Sequence, residues 1–280
     1  MPSANKRQTT LNNDNESLLA AASAGAVDTL TLLLDERGAG INTVDRSRQT
    51  ALSHAILAGC EECALFLLDR GIDWRIHNKR GLRALHLAAG KGLVTVIDRL
   101  LGAGDDVNAS RPNTDTPLIM AARSGRTDAV RRLLHAGGDP RGHGAKQMTA
   151  LHVAENAEIT GLLLKAGVKP DARDKDGETP LFSAARAGRL DQIRLLVEAN
   201  ANVHLVNDKN ETALFQAAQR GVIEAVDYLL DAGAKPGLPG QRGQSFANVA
   251  RRNASLRTYM TARAARGCID ATLAEIARSV

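Results

Sequence analysis

A ten-residue pattern recurs seven times along this chain of 280 residues, and its spacing is nearly constant. The copies are TALSHAILAG, RALHLAAGKG, TPLIMAARSG, TALHVAENAE, TPLFSAARAG, TALFQAAQRG and SFANVARRNA, which start at positions 50, 83, 116, 149, 179, 212 and 245. Neighbouring copies are 33 residues apart, except that the fourth and fifth are 30 apart. A second series of glycines follows the same spacing, except that the first two are 34 residues apart: Gly25, Gly59, Gly92, Gly125, Gly188 and Gly221. The chain is therefore built from internal repeats of one structural unit.

Each repeat has the pattern of two helices joined by a turn. Thr or Ser at the first position can cap a helix through its hydroxyl, and Pro117 and Pro180 stand where a missing N–H is harmless. The L-x-x-A-A segment places Leu and small residues on one helix face, and the following Gly supplies the positive φ that ends the helix. Segments such as RLDQIRLLVEA, with apolar residues at helical spacing, form the second helices. Aromatic residues make up only 2% of the chain, which also favours closely packed helices over a sheet.

These segments resemble ankyrin repeats, a family whose 33-residue unit contains T-P-L-H-x-A-A. The resemblance covers about residues 15 to 265, which is nearly the whole chain. It implies an all-α fold, an ankyrin-repeat solenoid of stacked helix-turn-helix units with projecting β-turn fingers. It also implies a concave face, made by the fingers and the first helices, and a non-enzymatic scaffold that binds a partner protein there.

The repeat register predicts three segments. We expect a disordered polar N-terminus at 1–14, the repeat solenoid at 15–266, and a C-terminal helix at 267–280 that packs on the terminal cap. No apolar run reaches the roughly 18 to 20 residues needed to cross a bilayer, and the first residues lack the apolar core of a signal peptide. The three cysteines are too few and too scattered for a disulfide framework. We therefore expect a cytoplasmic protein without membrane insertion.

One repeat, near 149–178, is shortened. Its segment LHVAENAEITGLLLKAG lacks the Gly that would end the first helix, and Glu155 stands where the other repeats mostly have a small residue. We expect the three missing residues to be lost from the turn between the two helices. A shortened pair should disturb regular stacking, which predicts a local bend or shallow notch with Asn156 and Glu158 exposed at it.

The chain offers few residues for chemistry. His86 and His152 occupy the histidine position of T-P-L-H, where the resemblance implies hydrogen bonds to backbone between neighbouring repeats. Cys60 and Cys63 form a C-x-x-C, but no second pair completes a tetrahedral zinc site, so two reduced thiols on a packed helix is the better interpretation. Phosphate-binding loops, nucleophile elbows and H-E-x-x-H motifs are absent from the sequence. We expect no enzymatic activity, cofactor, metal or small-molecule substrate.

Four cations near the ends of the first helices point toward the expected concave face. They are Lys91, Arg123, Arg186 and Arg220. On neighbouring repeats they predict a basic row suited to an acidic partner segment, and the alternative is an ordinary solvated face. In the fingers the charge alternates: 72–82 has 3 − 1 = +2, whereas 105–115 has 1 − 3 = −2. This alternation weakens a nucleic-acid interpretation, because a duplex favours a continuous basic stripe.

Trp74 is the single tryptophan of the chain, at a position where the other repeats have Ile, Val or Pro. Packing between repeats is one interpretation, and an aromatic anchor for a partner is the other. The complete set of candidate partner-binding residues is Arg46, Arg48, His54, Trp74, Arg75, Lys79, Arg80, Lys91, Arg111, Met120, Arg123, Asn156, Arg186, Gln216 and Arg220.

The sequence thus predicts binding to another protein with an acidic surface or segment. A bacterial effector delivered into a host cell and a cytoplasmic inhibitor of a cognate enzyme are two settings for such a scaffold. The alternative function is a nucleic-acid or chromatin-associated adaptor that uses the basic C-terminal end, where 251–280 carries 6 − 2 = +4. Its cations are all arginines: Arg251, Arg252, Arg257, Arg263, Arg266 and Arg278. A solvated capping face is the ordinary interpretation of this cluster.

Overall fold

The computed structural model describes residues 4–236 and 246–265, and this part of the chain is all-α, as predicted. The helical elements are α1 Ala4–Ala24, α2 Val27–Asp35, α3 Ala51–Ala58, α4 Glu61–Asp69, α5 Ala84–Lys91, α6 Val94–Gly102, α7 Pro117–Arg123, α8 Thr127–His135, two 3₁₀ segments at Ala145–Gln147 and Ala150–Val153, α9 Ala157–Lys165, α10 Pro180–Ala187, α11 Leu190–Glu198, α12 Ala213–Arg220, α13 Ile223–Asp231, α14 Phe246–Arg252 and α15 Ala254–Ala265. The β-structure in these ranges consists of two isolated bridges, one of them between Val44 and Thr50. Within the same ranges, no helix is long and apolar enough to cross a membrane.

The chain divides into two compact units, residues 1–145 and residues 146–280. In the described part of the first unit, the helices form four successive pairs, α1/α2, α3/α4, α5/α6 and α7/α8. The first helix of each pair packs on the first helix of the next, and the second helices of neighbouring pairs also pack together. Buried leucines such as Leu52, Leu85 and Leu118 recur at one position of the repeat. This repetition gives two layers of helices with a continuous apolar core.

The described part of the second unit follows the same plan. The 3₁₀ segment Ala150–Val153 pairs with α9, and the pairs α10/α11, α12/α13 and α14/α15 follow. First helices again pack on first helices, from the 3₁₀ segment through α10 and α12 to α14, and second helices run from α9 through α11 and α13 to α15. The C-terminal helix predicted at 267–280 lies outside the described residues.

Threonine hydroxyls begin several of the first helices, as the repeat pattern predicts. Oγ1 of Thr50, Thr116 and Thr212 accepts a backbone N–H from the residue three positions later, at 3.2, 3.3 and 3.1 Å. Pro117 follows one of these caps at the first helical position, where no N–H is required. At the other end, Gly59 stops α3 with a φ of 79°, a left-handed conformation that costs glycine little.

The N-terminal helix α1 begins earlier than the sequence indicates. It includes residues 4–14, for which disorder was expected from their polar composition. Asp14 is buried within this stretch, and its carboxylate pairs with Arg37 at 3.3 Å. Because α1 packs on both α2 and α3, tertiary contacts stabilise a helix that composition alone does not predict.

The shortened repeat loses its residues from the first helix, and the prediction that they are lost from the turn is wrong. Its first helix is a 3₁₀ segment of four residues, Ala150–Val153, whereas α7 of the preceding repeat has seven. The turn that follows, 154–156, is as long as the turn 124–126 between α7 and α8. Ala154 leaves the helix with φ −55° and ψ 124°, because no Gly is present to allow a left-handed end.

Side chains of the next repeat replace the hydrogen bonds of the missing helical turn. Arg189 Nη1 and Gln192 Nε2 both donate to the carbonyl oxygen of Ala154, at 2.8 and 3.0 Å. Arg189 also pairs with Glu155 at 2.6 Å. The carbonyl freed by the early helix end is therefore satisfied by two donors, one of them the buried amide of Gln192.

The two residues expected at a notch in this repeat differ in exposure. Glu158 is exposed, but Asn156 is half-buried, because its Oδ1 caps α9 by accepting the N–H of Ile159 at 2.9 Å. Asn156 therefore has a structural role at the start of the helix. The bend itself stays a prediction.

Candidate partner-binding surface

The projecting turns, or fingers, immediately precede the repeat starts. Fingers 1 to 6 comprise residues 45–49, 78–82, 111–115, 144–148, 174–178 and 207–211. In four of them the first side chain accepts two backbone N–H groups, from the residues two and four positions later, at 2.7 to 3.0 Å. These side chains are Asp45, Asn78, Asp174 and Asn207. Such local bonds favour tight turns, and they fix the backbone of each of these fingers.

Backbone hydrogen bonds also link neighbouring fingers. In the first unit Lys79 donates its N–H to the carbonyl oxygen of Ser47 at 3.0 Å, and in the second unit Asp208 donates to Asp176 at 3.1 Å. Finger 3 has Pro112 at the donor position, and proline has no N–H. Fingers 1 and 2 are therefore joined by a bond that cannot form between fingers 2 and 3.

Five exposed cations lie on fingers 1, 2 and 3 of the first unit. They are Arg46, Arg48, Lys79, Arg80 and Arg111, which we call the basic fingertip patch. Within the described residues none of the five has an ion-pair partner. Fingers 5 and 6 differ, because each carries a single lysine among two or three acidic residues. Unpaired positive charge is thus concentrated on one group of fingers.

The finger-facing side of the first helices carries a second set of candidate residues. We call the inner row the residues four and seven positions after each repeat start. In the first unit the inner row is His54, Leu57, Leu87, Gly90, Met120 and Arg123. In the second unit, after the short repeat, it is Ser183, Arg186, Gln216 and Gln219.

Two members of the predicted basic row are neutralised by acidic residues of the fingers. Arg123 lies 2.9 Å from the carboxylate of Asp115, and Arg186 pairs with Glu178. In both repeats the acid precedes the arginine by eight residues, a sequence signal that could have predicted the pairs. The exposed members without an ion-pair partner in the described residues are Lys91 and Arg220.

The inner row of the second unit belongs to a polar network. Gln216 Oε1 accepts from Arg186 Nε at 3.3 Å, and its Nε2 donates to Glu211 at 2.9 Å. Asn207 Nδ2 donates to Glu211 at 3.1 Å and approaches Glu178 at 3.4 Å. Gln216 is only 5% exposed, so this candidate residue stabilises the fold and presents little surface to a ligand.

The inner row of the first unit is mainly apolar. Leu57 is 37% exposed and Met120 is half-buried. Leu87, which belongs to the repeat between theirs, is buried. Gly90 stands at the position that Leu57 and Arg123 occupy in the neighbouring repeats. Beside the basic fingertip patch, the first unit therefore presents apolar atoms rather than a polar network.

His54 joins three elements at the edge of this surface. Its Nε2 lies 3.1 Å from Asp45 of finger 1, and its Nδ1 lies 3.0 Å from Oγ of Ser23 in α1. Partial burial acts to raise the pKa of Asp45, but hydrogen bonds from backbone N–H groups of finger 1 and the imidazole of His54 lower it by a larger amount. The pKa of Asp45 is therefore below its usual value. These contacts hold finger 1 against α1 and α3.

Trp74 packs within the first unit and is only 9% exposed. The guanidinium carbon of its neighbour Arg75 lies 4.0 Å from the ring centroid, a cation–π contact that covers the indole. Both residues line a cleft of about 760 Å³ beside α4 and α6, away from the fingers. The geometry supports the packing interpretation of Trp74, while Arg75 remains exposed.

The two repeat histidines are buried and structural. His152 Nδ1 accepts the N–H of Thr149 at 3.1 Å, and its Nε2 lies 3.1 Å from the carbonyl oxygen of Glu178 in the next repeat. Burial and the nearby Arg83 guanidinium lower the pKa of His86 to about 4, so its ring is neutral at pH 7. In each ring Nδ1 accepts the backbone N–H of the residue that starts its repeat, Arg83 at 3.3 Å for His86 and Thr149 for His152.

The C-x-x-C motif lies at the start of α4. Cys60 Sγ accepts the N–H of Cys63 at 3.3 Å and so caps the helix. Burial, together with the neighbouring Cys60 thiol, raises the pKa of Cys63 to about 12, so that thiol stays protonated. In the described part of the chain, no group of three or more His, Cys, Asp or Glu side chains could hold a metal ion.

The C-terminal arginine cluster is only partly available. Arg263 pairs with Asp227 and, at 2.5 Å, with Asp231. Arg266 and Arg278 lie outside the described residues. One of the described arginines is thus committed to tying α15 to α13, which weakens the nucleic-acid alternative.

Comparisons with known proteins agree with this architecture. The family model "Ankyrin repeats (3 copies)" matches residues 2–78, 85–174 and 153–239. Human "Ankyrin repeat and SOCS box protein 3" is 41% identical over 178 residues, which are 61% of this chain and 34% of that protein. The Bos taurus protein of the same name is 43% identical over 173 residues, which are 59% of this chain and 33% of the relative. The mouse "B-cell lymphoma 3 protein homolog" is 34% identical over 105 residues, 37% of this chain and 23% of the relative.

The chain therefore spans about a third or less of the length of these relatives. What it shares with them is the repeat region, and ankyrin repeats are protein–protein interaction modules. Because the family model covers most of the chain and the helix pairs follow the same register, this protein belongs to the ankyrin repeat family.

Proposed function

We propose that this protein is a binding scaffold whose first unit recognises an acidic segment of a partner protein. The family gives the general role of protein–protein interaction. The basic fingertip patch is the observation that supports the acidic character of the partner. In this proposal the protein acts by binding and not by catalysis.

The charge of the fingertip patch favours a ligand from outside the chain. Its five cations are exposed, share one sign and lie on three neighbouring fingers. Arg123 and Arg186, by contrast, already have carboxylate partners. Clustered like charges repel one another, and a bound acidic segment relieves that repulsion while arginine forks bind its carboxylates.

The patch is also preorganised. Asp45 and Asn78 each hold two N–H groups of their own finger, and the Lys79 to Ser47 bond joins fingers 1 and 2. A surface that is ordered before binding loses little conformational entropy when a ligand arrives. Affinity for a flexible acidic segment can therefore come from few contacts.

Two biological settings fit this proposal: an effector delivered into a host cell, and a cytoplasmic inhibitor seated on a cognate enzyme. Removal of the N-terminal residues separates them, since an inhibitor should still bind its target whereas delivery should fail. The deletion should stop at residue 10. Asp14 pairs with Arg37, and Asn15 Oδ1 accepts the N–H of Gly40 at 2.8 Å, so a longer deletion would damage the first repeat.

The experiment uses defined probes and fluorescence anisotropy. The probes are a labelled 12-residue peptide rich in Glu and Asp, its Gln and Asn counterpart, and a short DNA duplex. We expect the acidic peptide to bind more tightly than the neutral one, with an affinity that falls as salt is added. A variant with Arg46, Arg48, Lys79 and Arg80 changed to Glu should lose at least tenfold in affinity.

The matched control reverses lysines on the other fingers. Lys146→Glu, Lys175→Glu and Lys209→Glu change three exposed cations outside the patch. This triple variant should bind the acidic peptide nearly as well as the unchanged protein. Equal losses in both variants, or tighter binding of the duplex than of the peptide, would contradict the proposed function.

A further inference from the structure

We infer that the acidic partner segment carries an apolar side chain, which sits over Gly90 between Leu57 and Met120. This inference rests on the proposed function and adds a specificity site to it. The site lies in the inner row of the first unit, next to the basic fingertip patch, and we call the space left by the missing side chain of Gly90 the depression.

Gly90 creates the depression because it lacks a side chain where its neighbours have long ones. The preceding repeat has Leu57 at this position, and the following repeat has Arg123. A Cβ at Gly90 would lie 3.4 Å from Cε of Met120 and 3.7 Å from Oγ of Ser124. The space over the glycine is thus bounded by the end of a methionine side chain, and a thioether chain adapts easily to an apolar group.

The residues around Gly90 favour an apolar occupant. Leu57 is 37% exposed and Met120 is half-buried, whereas Leu87, on the same helix as Gly90, is buried. In the second unit the equivalent positions of the inner row are Arg186 and Gln219. The apolar character is therefore confined to the unit that also carries the unpaired fingertip cations.

Charge complementarity indicates where the partner segment carries its acidic residues. Lys91 follows Gly90 directly, is exposed and has no ion-pair partner in the described residues. The start of the same repeat, Arg83, lies seven residues before Gly90, which is roughly 10 Å along the helix at about 1.5 Å per residue. An extended peptide covers that distance in about three residues. The fitting segment therefore has one acid beside the apolar residue and further acids three or more positions away.

The test compares three peptides by fluorescence anisotropy. The first is a 12-residue peptide of Glu and Asp with one Leu at its centre, the second has Gly in place of Leu, and the third keeps Leu between Gln and Asn. We expect the first to bind roughly 5- to 10-fold more tightly than the second, because the leucine side chain is partly buried in the complex. The third should bind weakly.

Gly90→Ala is the decisive variant. Alanine is a better helix former than glycine inside α5, so the Tm should rise by about 1 to 4 °C. The added methyl group partly fills the depression, so the affinity for the Leu peptide should fall at least threefold while the affinity for the Gly peptide stays unchanged. Leu57→Ser should likewise weaken binding of the Leu peptide and leave the affinity for the Gly peptide unchanged.

Gly161→Ala is the matched control. Gly161 lies inside α9 of the second unit, and a Cβ there would meet no atom within 4 Å. This variant should raise the Tm in the same way and leave binding of both peptides unchanged. It separates the filling of the depression from the stabilisation of a helix.

The outcomes separate the two levels of the proposal. If the Leu and Gly peptides bind equally and the fingertip variant still loses both, the seat at Gly90 is wrong and the proposed function stands. If neither acidic peptide binds, the proposed function is wrong as well. Self-association of the protein that disappears in Leu57→Ser would assign this face to a second copy and overturn the inference.

Discussion

Arg123 Nη2 lies 2.9 Å from a carboxylate oxygen of Asp115, so the end of α7 is bound to the finger of its own repeat. The other carboxylate oxygen of Asp115 accepts the N–H of Ala145 at 3.0 Å. Arg186 and Glu178 repeat the relationship in the second unit. These acids fix the fingers and at the same time withdraw two arginines from the surface available to a partner.

Asp115→Asn should release Arg123 toward a ligand. Asparagine keeps an oxygen that can accept the Ala145 N–H, but it removes the negative charge, so the loss of stability should be at most about 1 kcal/mol. The affinity for the acidic peptide should rise about two- to fivefold, as measured by anisotropy beside a urea unfolding curve. Glu178→Gln is the control, since it releases Arg186 in the second unit and should leave the affinity unchanged.

Arg189 and Gln192 should be coupled through the carbonyl of Ala154. Loss of either donor leaves this carbonyl with one partner, so Arg189→Met or Gln192→Leu alone should cost about 1 kcal/mol. Loss of both leaves a buried carbonyl unsatisfied, and the double variant should cost about 1 to 2 kcal/mol more than the sum. Urea unfolding of the four proteins gives the coupling, and additive costs would contradict a shared role of the two donors at this carbonyl.

A buried ion pair distinguishes one junction of the first unit. Arg83 replaces the Thr found at positions such as Thr50, and Asp105 stands where other repeats bury an apolar residue such as Ile72. The two charged groups lie 3.2 Å apart, and the side chain of Asp105 is fully buried. Because Arg83 and Asp105 contact each other, the two differences from the other repeats together replace an apolar contact by an ion pair.

Arg83→Ala should therefore destabilise the protein strongly, by about 3 to 5 kcal/mol, because it leaves Asp105 buried without its partner. The double variant Arg83→Thr and Asp105→Val restores the residues of the other repeats. It should be as stable as the unchanged protein or more stable by about 1 to 4 kcal/mol. A double variant no more stable than Arg83→Ala would contradict this account of the junction.

The same double variant should reveal a pH dependence. Burial raises the pKa of Asp105, although the Arg83 guanidinium acts against this shift. The folded chain thus holds this proton more tightly than the unfolded chain, whose Asp pKa is about 3.9. The contribution of Asp105 to stability is present below that value and is lost as the pH rises through the folded pKa. The advantage of the double variant should grow from pH 4 to pH 7, and a constant advantage would contradict the shift.

The sequence predicts the helix pairs well, since their signals are local. A Thr cap such as Thr116, a Pro at the first helical position and a terminal Gly act within one turn of helix, and each appears in the structure where the pattern places it. Burial of the repeated leucines follows from the same register. Local chemistry repeated at a fixed period is enough to predict this part of the fold.

Other features depend on contacts that no single repeat contains. Residues 4–14 continue a helix, α1, that packs against α2 and α3, and the 3₁₀ helix of the short repeat has its freed carbonyl satisfied by donors 35 or more residues away. The surface predictions were limited by ion pairs within a repeat. Lys91 and Arg123 both lie near the end of a first helix, but Arg123 stands one position earlier in its repeat and has an acid eight residues before it, so its charge is already paired.

The hydrogen bond from Gln192 to Ala154 also bears on how the short repeat evolved. At the position of Gln192, other second helices have buried small or apolar residues: Cys63, Val96, Ala129, Ile159 and Ala225. If an insertion restored the three lost residues, the backbone N–H groups of the first helix would bind its own carbonyls. The amide of Gln192 would then be buried without a hydrogen-bond partner. Reversal thus needs two mutational events, of which the first is harmful, so the deletion behaves as an evolutionary ratchet.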